Sequence, residues 1–323
     1  MKLLHLKFAL LGVFVFAGYL MVRAGVDFKG PIKRIEPDKL LSDGVKEKGE
    51  LDILILGTSH GMAFRDLGAP EGVSVVNASQ SGLGVAPLMV KGRYLIGQLK
   101  QVRNVVIVVD EWQIASATRS ESTTAFDAYA FDSKFLSELV KEEVHRPVIA
   151  RYVCGLFGNL PSLAYERAVG HRIEIREQQA FVNEAKSIGT IDPAKAAGRA
   201  HKLYMGSTLE DARRLSSKLV DFAVEMEKEE KVGKVLFVFP PLPEVFRDQT
   251  PDISSDFKRV FFDVLTKKGA SALDLASILP EDEFYSDEDH LTSDAARSVG
   301  RKQILPKLDL GPIDPEQGSG RSE

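Results

Sequence analysis

At 323 residues and 44% hydrophobic content, the chain is long enough for one large α/β domain or two small ones. A formal net charge of −4 offers no basic footprint for nucleic acid. The lone cysteine, Cys154, excludes an intramolecular disulfide and leaves both the cytosol and the periplasm open.

Lys2 and Lys7 precede an uncharged apolar run, Phe8 to Val22, which Arg23 closes. A basic flank followed by an apolar core is an export-signal pattern. With Leu3 to Leu6 added, the segment reaches the roughly 17–25 residues of a spanning helix. Its exit, GYLMVRAGVDF, has no small-x-small cleavage site. We expect an uncleaved signal anchor over 1–26 with its N-terminus in the cytoplasm, which puts the rest of the chain on the periplasmic or extracellular side of the cytoplasmic membrane. A cleaved signal peptide is the alternative. Residues 27–49, polar with Pro31 and Pro37, read as a tether.

The apolar run Leu51–Leu56 is the first expected strand and Val73–Ala78 the second. Leu88, Met89, Leu95, Ile96 and Leu99 fall at helical spacing over Ala86–Gln101. Val105–Asp110 is nearly all β-branched, as in a strand covered on both faces. This rhythm implies a parallel sheet. Residues 115–206 break it, with helical patterns over Ser133–His145, Pro147–Phe157 and Ile173–Ala185, and read as a helical insertion. Thr208–Lys231 is the strongest helix pattern, with Thr208 as N-cap and Asp211 completing a variant capping box. A strand at Lys234–Phe239, a helix at Ser254–Lys268 stopped by Gly269, a strand at Ser271–Leu275, an acidic loop at Glu281–His290 and a helix at Ser293–Leu305 follow. We therefore expect an α/β domain over 50–308, with a parallel sheet of about five strands, and a disordered tail over 309–323.

Three segments at expected strand ends carry polar chemistry: Gly57-Thr58-Ser59-His60, Asn77-Ala78-Ser79-Gln80-Ser81-Gly82, and Asp287-Glu288-Asp289-His290. A serine hydroxyl needs a base within hydrogen-bond reach, and that base needs a carboxylate to orient it. In Asp-x-x-His the carboxylate and imidazole can meet within one turn. Ser59 is thus the candidate nucleophile, His290 the base and Asp287 its partner. Asp289 competes for the last role but ranks second, because adjacent side chains usually diverge. GTSHG also fits the G-x-S-x-G elbow of α/β-hydrolases. There, however, the elbow follows several strands, whereas Ser59 follows the first. His60 is expected to pack beside the turn, and Asn77 to bond its own loop. Trp112 either stacks on a sugar at a pocket mouth or belongs to the core. His145, His171 and His201 show no metal-ligand spacing, and the acidic cluster Glu281, Asp282, Glu283, Asp287, Glu288 and Asp289 reads as a solvated loop.

The order of these segments resembles the SGNH/GDSL hydrolase superfamily. The apolar N-terminus, GTSH in place of Gly-Asp-Ser, and VVDEWQ resemble its membrane-anchored bacterial branch, which includes alginate acetylation and D-alanyl-lipoteichoic acid biosynthesis proteins. The resemblance covers about residues 50–115 and 234–305. It implies a three-layer flavodoxin-like sheet and Ser59, Asp287 and His290 as catalytic residues. It also implies oxyanion donors at the N–H groups of Ser59 and Ser79, with Gly82 and Gly84 as second candidates. The family's Gly-x-Asn segment is absent, and Gln113 is its expected substitute. The implied activity is O-acyl transfer or ester hydrolysis on an envelope or exported polysaccharide, without metal or organic cofactor. The implied partner is a polytopic membrane-bound O-acyltransferase. A non-catalytic assembly or polysaccharide-binding protein of the same fold is the alternative.

Overall fold

A computed structural model describes residues 49–116 and 187–310. Five strands form one all-parallel sheet: β1 (Glu50–Gly57), β2 (Val75–Asn77), β3 (Gln101–Val108), β4 (Val232–Phe239) and β5 (Ser271–Asp274), in the spatial order β2-β1-β3-β4-β5. The helices are α1 (Ser59–Ala63), α2 (Val85–Gln98), α3 (Glu111–Ala115), α4 (Pro193–Tyr204), α5 (Leu209–Glu227), α6 (Glu244–Arg247), α7 (Ser254–Lys268) and α8 (Ser293–Val299).

Alternation along the strands builds two cores. Leu54, Leu56, Val105, Ile107, Val235 and Phe237 face α2, α5 and the Phe261 side of α7. Ile53, Ile55, Val106, Val108, Leu236 and Val238 face the opposite layer, which contains Phe64, Ala196, Phe246, Tyr285 and Ala296. Both sheet faces are covered, which explains the nearly unbroken apolar runs of the central strands. The strand order reverses direction at β1 and β3, and open α/β sheets hold their ligands outside the carboxyl ends at such a point. Gly57 of β1 pairs with Val108 of β3, and Val108 with Val238 of β4, so these three strands end level at that rim.

Several boundaries differ from expectation for physical reasons. β3 begins at Gln101 instead of Val105. The polar Asn104 is accommodated because its Nδ2 donates to the Asp52 and Asp309 carbonyls at 3.1 and 2.8 Å. β2 is only Val75–Asn77, an edge strand paired with β1 alone. The last helix changes to a wider π turn over Gly300–Ile304. Thr208 does cap α5, accepting from Asp211 N at 3.1 Å, and Gly269 ends α7 at φ 71°. Ordered contacts run past the expected end at 308: Asp309 N donates to Asn104 Oδ1 and Arg103 to the Leu310 carbonyl. Within the expected insertion, α4 is a regular helix, and Thr208 N bonds the Ala115 carbonyl at 2.8 Å, which brings the segment's two ends together. The expected anchor, most of the tether, Cys154, His5, His145, His171 and the helices expected over Ser133–Ala185 lie outside the described residues. Among the described residues no helix is long and apolar enough to cross a membrane.

Candidate active site

β1 ends at Gly57 and the chain turns at once into α1, so Ser59 stands at the first position of a helix just beyond the sheet. Thr58 is the N-cap residue but makes no side-chain cap. Its hydroxyl donates instead to Asp110 Oδ2, across from β1 at the end of β3. The N–H groups of the first turn of α1, that of Ser59 included, are therefore left without a capping acceptor. Gly61 makes the turn possible: a Cβ there would lie 2.9 Å from Ser79 Cβ, so only glycine lets the loop after β2 close over α1.

His290 arrives from the other end of the chain. Its Nε2 is 2.8 Å from Ser59 Oγ, 231 positions away in sequence. The loop that carries it is pinned at both sides. Tyr285 pairs with Leu291 in an isolated bridge, and Ser286 N donates to the His290 carbonyl at 2.8 Å. Asp287 has two tasks within that loop. Its Oδ1 accepts the N–H groups of Asp289 and His290 at 3.0 and 2.8 Å, which shapes the turn. Its Oδ2 sits 2.8 Å from His290 Nδ1. The Asp-x-x-His spacing thus builds the turn and orients the ring with one carboxylate.

Asp289 does not diverge as expected. Its Oδ1 lies 3.1 Å from His290 Nδ1, so two carboxylates flank that nitrogen. The reason is that Asp289 is turned inward, its side chain held by Arg199 Nε at 3.2 Å. Burial pulls the His290 pKa down, but the bonds to Asp287 and Asp289 outweigh it and push it up to about 10. Burial likewise raises the carboxyl of Asp289, yet His290, His60 and Arg199 together hold it below the usual carboxylate range. Asp287 is also lowered: its bond and charge interaction with His290 overcome its burial.

Beneath His290 lies His60, buried and stacked on it with ring centroids 4.6 Å apart at 20°. His60 Nε2 is 2.8 Å from the Asp289 carbonyl, which can only accept, so that nitrogen carries hydrogen. His60 Nδ1 lies 2.9 Å from Asp110 Oδ1 in a close but poorly aligned contact. His60, Asp289 and His290 present ligand-type atoms within 4.8 Å of one another. Each of the ring nitrogens, however, already faces a protein group. The set suits holding protons better than holding an ion.

Three further sequence expectations need correction, and one alternative left open is decided. The Ser79 N–H donates to Asn77 Oδ1 at 3.0 Å and is not open to a ligand, because Asn77 bonds its own loop as expected and its Nδ2 reaches the Gly61 carbonyl at 2.8 Å. Gln113 does not substitute for the missing Asn: it is buried, its Nε2 donates to the Leu83 carbonyl at 2.8 Å, and it closes a capping box with Asp110. Of the two places expected for Trp112, it takes the core. It is 6% exposed, edge-on to His60, Tyr204 and Phe246. The acidic loop is not simply solvated, since Asp289 is wholly buried and Asp282 accepts from Ile191 N at 2.8 Å. Gly82, one of the two second candidates for the oxyanion, is exposed at φ 71°, and among the described residues nothing accepts its N–H. Gln113, by fixing Leu83, holds that glycine's loop in place.

Sequence reading missed Asp110 and Arg199. Asp110 had one local signal, as the acid that ends an apolar strand at the rim. Arg199 had none. On the far side of α3, Glu111 is buried against Tyr204 Oη at 2.8 Å and Lys258 Nζ at 3.2 Å. Its carboxyl is pushed up by burial despite the Lys258 charge. A cavity of about 410 Å³ opens there, lined by Glu111, Arg247, Lys258 and Asp274 but not by Ser59. No protein-family model matches the sequence, and no curated protein matches it.

Proposed function

We propose that the protein is a serine acyl-transfer enzyme of the SGNH type: a membrane-anchored O-acyltransferase or esterase acting on an envelope or exported polysaccharide through an acyl-serine intermediate. The observation that carries this reading is the Ser59–His290–Asp287 relay, with contacts of 2.8 Å at each step. The 2-1-3-4-5 parallel sheet is the setting in which the likeness to SGNH hydrolases expects it.

In this reading Ser59 Oγ attacks the carbonyl carbon of an acyl ester or thioester, and His290 Nε2 takes the hydroxyl proton. The carbonyl electrons move onto oxygen, which the N–H groups of Ser59 and Gly82 receive. Collapse breaks the bond to the leaving alcohol or thiol, which takes the proton from His290. A carbohydrate hydroxyl or water then attacks acyl-Ser59, gives its proton to His290, and Ser59 Oγ takes that proton back on release. Asp287 holds the ring in the tautomer this needs. The proposal puts the reaction at the outer face of the cytoplasmic membrane, on the strength of the anchor expected over residues 1–26, and takes a polytopic membrane-bound O-acyltransferase as acyl donor, as the resemblance implies.

A second reading, a non-catalytic assembly or polysaccharide-binding protein, is favoured by one observation: the backbone N–H of Ser79 and the side-chain amide of Gln113 are both taken, so neither of these expected donors is open to an oxyanion. Loss of one such donor typically costs about 10²–10³ in rate. Labelling with a fluorophosphonate decides between the two. The enzyme forms an adduct that Ser59→Ala abolishes; absence of any adduct from neutral to alkaline pH sinks the catalytic reading.

A further inference from the structure

The mechanism above uses one carboxylate on His290, yet Nδ1 has two: Asp287 Oδ2 at 2.8 Å and Asp289 Oδ1 at 3.1 Å. Asp289 is the more deeply placed, its side chain 1% exposed against 32% for Asp287. A charge so buried needs a compensating partner. Arg199, on α4 and 90 positions away, supplies it through the 3.2 Å contact to Asp289 Oδ2. His60 adds a bond to the Asp289 backbone, which keeps the residue from swinging out.

We propose that Asp289 and Arg199 form a positioning pair behind His290, through which the docking of helix α4 sets how firmly the imidazole holds its proton. This deepens the acyl-transfer reading and rests on His290 being its base. The charge count supports it. His290 is faced by Asp287 and Asp289 from its own loop and by Ser59 and His60 from α1. Arg199 of α4 acts on it through Asp289, and Asp110, at the end of β3, through His60. Three carboxylates thus meet three groups able to carry positive charge. Removing the guanidinium leaves the carboxylates in excess, and His290 keeps its proton to higher pH. Neutralising Asp289 has the opposite effect. A purely structural role for Arg199 leaves the His290 midpoint unmoved when the guanidinium is removed.

The test is a titration of the full-length chain with ¹⁵N-labelled histidine. The chain has 6 histidines, and the His290 signal is identified by its loss in His290→Gln. Arg199→Gln is expected to raise the midpoint of His290 by about one pH unit, and Asp289→Asn to lower it by about one to three. Arg199→Lys, which keeps the charge, stays near the wild type. An Arg199→Gln midpoint that is unchanged or lower overturns the proposal. Arg199 is 35% exposed, so its two variants carry the test even if Asp289→Asn does not fold. No substrate enters the titration. A chain that fails to label at Ser59 can still show these movements, and one that labels can fail to show them.

Discussion

Asp287 shares His290 with Asp289, and that sharing changes what a single substitution does. In a lone triad, replacing the carboxylate by its amide costs about 10⁴ in kcat. Here Asp289 stays 3.1 Å from the same nitrogen, so Asp287→Asn is expected to lose less than this, and only the double change Asp287→Asn with Asp289→Asn to reach it. Steady-state kcat on an activated ester reads the difference; equal losses for the single and double variants refute the sharing. The raised pKa has a second effect. In the acyl-transfer reading His290 must be free of its proton to act as base, so kcat/KM should climb on the alkaline side toward the His290 value of about 10 instead of reaching its plateau near neutrality. Ser59, Asp287 and His290 were legible in the sequence because each belongs to a local pattern: a serine after an apolar strand, and an acid and a histidine one turn apart. Arg199 and the burial of Trp112 were not. They depend on Tyr204, Phe246 and Asp289, which only the folded chain brings near.

Between elements, the decisive contact is that of the segment after α1 with the segment after α8. Arg301 Nε donates to the Gly68 carbonyl at 3.2 Å, and Gly300 packs on Leu67, where a Cβ would lie 2.7 Å from Leu67 Cα. Leu67 is buried with φ 56°, so the turn it makes has little room to yield. This packing clamps the piece of chain that follows Ser59 to the piece that follows His290. Gly300→Ala is therefore expected to destabilise the fold by about 1–3 kcal/mol, read as a lower urea midpoint. In the acyl-transfer reading its kcat should fall as well, because the hydroxyl and imidazole are pushed apart; a lowered urea midpoint with unchanged kcat contradicts the clamp. The strands and long helices were readable from periodicity and caps. α4 was passed over although Asp192-Pro193 is a helix start and Ala196, Ala200, Leu203 and Tyr204 fall on one face. It was hidden by its position in a stretch whose other segments follow no strand rhythm.

For the molecule as a whole, the pKa of His290 makes stability depend on pH in a definite direction. The group binds its proton more tightly folded, near 10, than at its ordinary value of 6.5. Its contribution is fully present below about 6.5 and is lost as pH rises through about 10. Urea midpoints should fall over that interval, and the fall should flatten when Asp287 and Asp289 are both changed to Asn. A midpoint that rises instead contradicts the raised pKa. The separation of Ser59 from His290 by 231 positions also has a consequence in time. Synthesis runs from Ser59 toward His290, so in the acyl-transfer reading a growing chain holds the hydroxyl without its imidazole for those 231 positions. On the same reading, a product truncated before Asp287 carries Ser59 with neither its base nor the carboxylate that orients that base.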